Sequence, residues 1–240
     1  MNNQRFLEVL RDSFIKFLST SSRSNEKLKI LHGAIAHDLS ERLGGDYQIK
    51  SLGFGEQNEG KIQGRYINKN VDITIFENSK PIAGIAVKFV MQNYAQNANN
   101  YFENMLGETA NIRSNNILYF QIFIIPSQLP YYKNTGEFSK WEQFNEHHFE
   151  KYKILSNDDN ECWLHSPTKT LIYVIDLSAK HIFDLNNRYD YTNHYLKLHS
   201  EQNLILSTSS KFDDKPLGSN LILNDYEKFI NKVVYRVLSQ

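Results

Sequence analysis

Two charged residues sit inside an otherwise apolar pair of strands, Asp72 and Lys88 in the stretch VDITIFENSKPIAGIAVKF, residues 71–89. Successive side chains of a strand point to opposite faces. Val71, Ile73 and Ile75 therefore share one face while Asp72 and Thr74 share the other, and in the following strand Ile85, Val87 and Phe89 oppose Gly84, Ala86 and Lys88. If the two strands pair, the small residues leave open the face on which the acid and the lysine converge. A half-buried carboxylate and ammonium are costly unless they pair with each other or with a ligand. The residues by themselves support two readings, a structural ion pair and a functional site.

The elements that must position these residues follow from periodicity. Leu7, Leu10, Phe14 and Leu18 recur at helical spacing over residues 5–18, and STSSRSN (19–25) stops the pattern. Leu28, Leu31, Ile35 and Leu39 predict a second helix over 26–43, with Gly44 and Gly45 placed to cap it. Strand and turn chemistry then predicts a three-stranded meander over 60–66, 70–76 and 81–90, with turns at INKN and ENSK. A helix is expected over 96–113, and ILYFQIFIIP (117–126) has the nearly all-apolar character of a strand covered on both faces. FSKWEQFNEHHFEKYKIL (138–155) is expected to be helical, TLIYVIDL (170–177) to be a second buried strand, and residues 224–238 to form a last amphipathic helix. The stretch from 178 to about 220 carries little signal. The expectation is one α/β domain over 1–240, with a mixed central sheet flanked by helices: a core at 25–126 holding the hairpin, and a remaining core strand with additions at 127–240.

This order of elements resembles the PD-(D/E)xK nuclease core of type II restriction endonucleases: a helix, a meander with an acid opening its second strand, a third strand ending in a lysine, then a helix and an apolar strand. The resemblance spans about residues 25–126, and the 88 − 72 = 16 residue spacing falls within the range such hairpins use. It implies a restriction-endonuclease-like fold and a magnesium-dependent, sequence-specific endodeoxyribonuclease acting on double-stranded DNA, working as a homodimer. In that family the first acid and an acid two residues before the lysine bind magnesium, and the lysine activates or positions the attacking water. Asp72 matches the first acid and Lys88 the lysine, and the main-chain carbonyl of Val87 would be a further metal ligand. Val71 stands where proline is usual. Ala86 stands where the second acid should be, and one carboxylate with one carbonyl makes a poor magnesium site.

Three explanations of Ala86 remain open. The missing carboxylate is supplied by the next helix, as in a subset of these enzymes; or the alanine was introduced by substitution; or the chain is a nuclease-fold DNA-binding module without activity. In NNYFENMLGETANIR, Glu103 and Glu108 each lie roughly 20° beyond an edge of the apolar stripe, at about 100° per residue. Glu103 follows Lys88 by 103 − 88 = 15 residues, close to the offset of that subset, and is the preferred ligand.

Other constellations carry less. Glu56 and Glu59 precede the meander and read as loop residues, although some nucleases of this class take an additional acid from that side. His32 and His37 are five apart, which spoils the i, i+4 spacing of a helical zinc pair, and His37-Asp38 lacks the further ligands of a metal-dependent phosphohydrolase. His147-His148 reads as surface, Asp176 as a strand-end cap, and the glycines at 44–45 and 53–55 as turns. QNYAQNANNYF (92–102) is rich in amides and tyrosines that contact DNA in other proteins, or that simply cap a helix. The single cysteine, Cys162, allows no intrachain disulfide and is expected to pack. Equal numbers of Lys+Arg and Asp+Glu, 27 each, argue mildly against a non-specific nucleic-acid coat protein, since any anion-binding surface must be local. No apolar window approaches a membrane span and the first residues carry charges, so a cytoplasmic location without membrane association is expected.

Overall fold

The computed structural model describes residues 1–20, 24–56, 58–177, 184–212 and 217–240. The chain opens with helices α1 (Asn3–Ser19) and α2 (Glu26–Leu43), then strands β1 (Tyr47–Ser51), β2 (Gly60–Gln63), β3 (Asn68–Val71), β4 (Ile73–Glu77) and β5 (Lys80–Phe89). Helix α3 (Tyr94–Arg113) crosses to β6 (Leu118–Pro126), followed by a β7 (Gln128–Tyr132) and β8 (Phe138–Gln143) hairpin and α4 (Glu146–Ser156). Strand β9 (Lys169–Leu177), α5 (Arg188–Ser200), β10 (Leu206–Thr208), β11 (Leu221–Leu223) and α6 (Tyr226–Leu238) complete it.

A mixed sheet in the order β1-β4-β5-β6-β9 forms the centre, antiparallel from β1 to β5 and parallel from β5 to β9. β11 and β10 share the far edge of β9, one parallel to its first half and the other antiparallel to its second. The parallel strands β6 and β9 are buried on both faces, which is why they read as continuous apolar runs. On one face Ile122, Ile124, Leu171, Tyr173 and Ile175 pack under α1, α2, α5 and α6; on the other Phe123, Ile125, Ile172 and Val174 pack under α3 and α4. The stretch from β5 through α3 to β6 joins two parallel strands, which need a crossover connection rather than a tight turn.

Several expected boundaries move. The helix expected over 138–155 begins only at Glu146, where Asn145 forms a capping box with His148; before it, Phe138–Gln143 pairs with β7. The strand expected over 60–66 ends at Gln63, because the chain bends around the Asn111 side chain. That amide accepts from the Tyr66 and Ile67 N–H groups and donates to the Ile67 carbonyl, at 2.9, 3.2 and 2.8 Å. The strand expected over 70–76 breaks at Asp72: β3 leaves the central sheet to pair with β2, while β4 continues beside β5. The low-signal region holds α5, β10 and β11, and β1 was not expected at all. Gly44 adopts φ +79° at the end of α2, the cap its position predicts. Part of the breaker run at 19–25, residues 21–23, lies outside the described residues.

Candidate functional site

Asp72 stands where two sheets part. Its main-chain carbonyl accepts from the buried Ser51 hydroxyl at 2.7 Å, fixing the backbone, and its Oδ2 accepts from the Val87 N–H at 2.7 Å. The side chain thus takes the place of the ladder partner that β3 would have supplied had it stayed in the sheet. The carboxyl is pushed up to about 6, chiefly by burial, with the Val87 hydrogen bond opposing, the Glu108 charge adding, and Lys88 and Lys69 opposing.

A cleft of about 300 Å³ opens beside it, between the strand ends and α3. Ala86, Val87 and Lys88 of β5 line it together with Asp72, Gln121 and Glu108. On α3 the lining residues are Tyr101, Asn104, Met105 and Glu108, the i, i+3, i+4, i+7 set of a single helical face. The exposed Lys88 ammonium lies 4.7 Å from the centre of the Tyr101 ring, a cation–π contact that restrains it without neutralising it.

Glu108, and not Glu103, reaches the cleft. Its Oε1 accepts from the Tyr119 hydroxyl at 2.7 Å and its Oε2 lies 3.7 Å from the Lys69 ammonium. Glu103 is exposed and acts on the Lys151 ammonium, on the α4 side of the helix. The two glutamates are equivalent on a helical wheel; what separates them is which neighbour lies beyond each edge of the stripe, β5 and β6 on one side and α4 on the other.

Two residues belong here that the motif does not include. Gln121 is 6% exposed, in register with Ala86 on the neighbouring strand, and its Nε2 has no partner among the described residues. One amide in the middle of LYFQIFIIP is a legible signal, because an apolar strand gives no reason to bury it. From the opposite side α2 brings His32, 1% exposed, with Nδ1 3.9 Å from Asp72 Oδ1 and, among the described residues, no hydrogen bond at either ring nitrogen. Burial pushes its imidazole down to about 4, so it is neutral. Gly33 and Gly53 allow α2 this close approach: a Cβ on Gly53, at φ +76°, would meet the Lys29 carbonyl oxygen at 2.1 Å. Glu59 is half-buried nearby, its carboxyl raised by burial and then by the charge of Asp72.

The remaining candidates lie elsewhere. His37 is exposed, 3.5 Å from Glu41, whereas Asp38 is buried and accepts from Arg42 and Tyr226. Glu56 is exposed beside Lys50, His147 is exposed, and Asp176 accepts from the Ser127 hydroxyl. Asn93 binds both main-chain groups of Tyr132, so the start of 92–102 ties α3 to β7. Cys162 does not pack; it is exposed and donates to Asp159.

No family model matches this chain, and neither does a curated protein or a solved structure. The chemistry of the cleft therefore rests on its donors. Among the described residues no three His, Cys, Asp or Glu side chains gather to hold a metal by themselves. Magnesium, however, keeps several waters and takes one or two carboxylates plus substrate phosphates. Asp72 and Glu108, whose charges already oppose each other across the cleft, fit that demand with Gln121 beside them. No described helix is long and apolar enough to cross a membrane.

Proposed function

We propose that this chain is a magnesium-dependent endodeoxyribonuclease with a restriction-endonuclease-like core, its second acid supplied by Glu108 of α3 in place of the residue at Ala86. The observation that carries the reading is the convergence of Asp72, Lys88 and Glu108 on one open cleft from three separate elements. Asp72 and Glu108 would hold the ion, with the Gln121 amide and the Val87 carbonyl as neutral oxygen donors. Bound magnesium supplies Lewis-acid stabilisation of charge developing on the phosphate oxygens. Asp72 is held for its role by the Val87 N–H, and Glu108 by the Tyr119 hydroxyl. Lys88 presents an ammonium to the scissile phosphate, where it orients the attacking water and favours its deprotonation. Tyr101 limits the sweep of that ammonium to the cleft mouth.

The test is cleavage of mixed-sequence duplex DNA with magnesium or manganese. Lys88→Ala, Asp72→Asn and Glu108→Gln should each lower the rate at least about a hundredfold, as loss of a positioned charge in a transition state does, while Glu103→Gln cuts like the parent. Cleavage that survives Glu108→Gln sinks the relocated acid. An inactive parent with an active Ala86→Glu variant would mean that the acid belongs at position 86. The second reading, a DNA-binding module without cleavage, draws on the methyl group of Ala86 at that position, and it gains if no variant cuts.

A further inference from the structure

A second cavity, of about 660 Å³, lies against α6 and the edge strand β11. Lys228, Lys232 and Arg236 line it from α6, four residues apart, so that each follows the last by a little over one turn and about 6 Å along one face. Lys169, the first residue of β9, closes its floor. That lysine is 8% exposed and, among the described residues, donates to uncharged oxygens, the Ser219 carbonyl at 2.9 Å and the Asn220 side chain at 3.4 Å. Burial, then Arg236 and Lys232, push its ammonium down from the ordinary value. Among the described residues the only carboxylate in the lining is Asp225, whose Oδ1 accepts from the Lys228 N–H and the Asn3 amide. Among the described residues none of the four cations forms an ion pair with a carboxylate.

Four cations around one cavity, one of them buried, repel one another and favour an anion. Their spacing along α6 suits an extended ligand with regularly repeated charge better than a single small one. Tyr235 adds an exposed aromatic face beside them. We propose that the α6 groove is a phosphate-backbone contact for duplex DNA, separate from the cleft. It rests on the nuclease reading for the identity of the polyanion. Lys169 pairs through β9 with Phe120, one residue short of Gln121, and by strand alternation its side chain points away from the cleft face. The groove therefore makes a contact of its own, on the face of the sheet away from the cleft.

The test uses the full chain in EDTA, so that no cleavage intervenes, with a fluorescent 30-base-pair duplex titrated at several salt concentrations. Lys232 and Arg236 are exposed, so Lys232→Ser/Arg236→Ser should melt at the parent's temperature. Expected is at least tenfold weaker binding at low salt and a log–log salt slope shallower by about 2, since each lost phosphate contact removes about 0.9. An unchanged slope and affinity overturn the proposal, as does a parent that binds no duplex. Calorimetry with pyrophosphate and co-sedimentation with vesicles of 70% phosphatidylcholine and 30% phosphatidylserine supply the other arms. If the double variant loses either of those ligands while duplex binding stays as in the parent, the groove serves that ligand instead. Failure of the nuclease reading is read separately, as absence of cleavage with magnesium while the salt-slope difference persists.

Discussion

At the scale of single residues, the Asp72 and His32 pair makes opposite demands on pH. Asp72 has its folded pKa raised to about 6 from an ordinary 3.8, so between those values the folded chain holds a proton that the unfolded chain has released. Stability from this group is greatest in acid and is lost as pH rises through about 6. Asp72→Asn should therefore stabilise the metal-free protein by about 3 kcal/mol at pH 7.5 and by almost nothing at pH 4, as read from urea unfolding in EDTA. His32 has its folded pKa lowered to about 4 from 6.5, so the unfolded chain takes up the proton first and stability falls as pH drops through that window. Replacing it with leucine removes this loss. The stability of His32→Leu relative to the parent should rise by roughly 3 kcal/mol between pH 7 and pH 4; a difference independent of pH would mean that the imidazole is not buried as described.

At the scale of elements, the cleft depends on α3, which supplies both a wall and a clamp. Asn111, 6% exposed, holds the turn between β2 and β3 through three hydrogen bonds, and Asn115 adds one to the Gln63 carbonyl. That hairpin carries Lys69 and Asn70 to the cleft. Asn111→Ala leaves main-chain groups of the turn without partners and should cost about 2 to 3 kcal/mol, with amide exchange accelerated at 64–68 ahead of the central sheet. Uniform acceleration over the whole sheet would show that the turn is not a separate unit. The parts legible in the sequence were those whose burial is one-sided or complete. The stripes of α1 and α2, the apolar runs of β6 and β9 and the alternation in β5 each state their own environment. The β7-β8 hairpin was not legible because FSKWEQFNEHHF mixes aromatics and charges without a clear period, and its partner QLPYY supplies the missing half of the pattern. α5 buries only Tyr191 and Tyr195 and so shows almost no stripe. Alternation singled out Asp72 and Lys88 and the resemblance gave them roles, whereas the choice of Glu108 over Glu103 depended on α4, an element more than thirty residues further along the chain. His32 reached the site by a helix-to-loop approach, through Gly33 and Gly53, that no local period encodes.

At the scale of the whole molecule, the balance of 27 cations and 27 anions means that, on the proposed reading, DNA would be met by local surfaces rather than by an overall field. The cleft is framed by acids and lies on one face of the sheet; the α6 groove is basic and lies on the other. A duplex is cut on both strands only when two scissile phosphates are addressed, and each chain has one set of Asp72, Lys88 and Glu108. On the proposed reading two copies act on one site, and a two-fold pair of chains matches a palindromic target. Supercoiled plasmid carrying a single target should then pass to linear product with little nicked circle accumulating, and the initial rate should rise with about the second power of protein concentration while copies are dilute. Mixing the parent with excess Lys88→Ala separates this from independent action. Paired chains containing one inactive copy cut a single strand, so the mixture should accumulate nicked circle in proportion to the inactive fraction, whereas independent chains would leave the parent's product pattern unchanged. That second result would assign both cuts to a single cleft working twice, and the homodimer would be lost from the reading while the cleft chemistry stood.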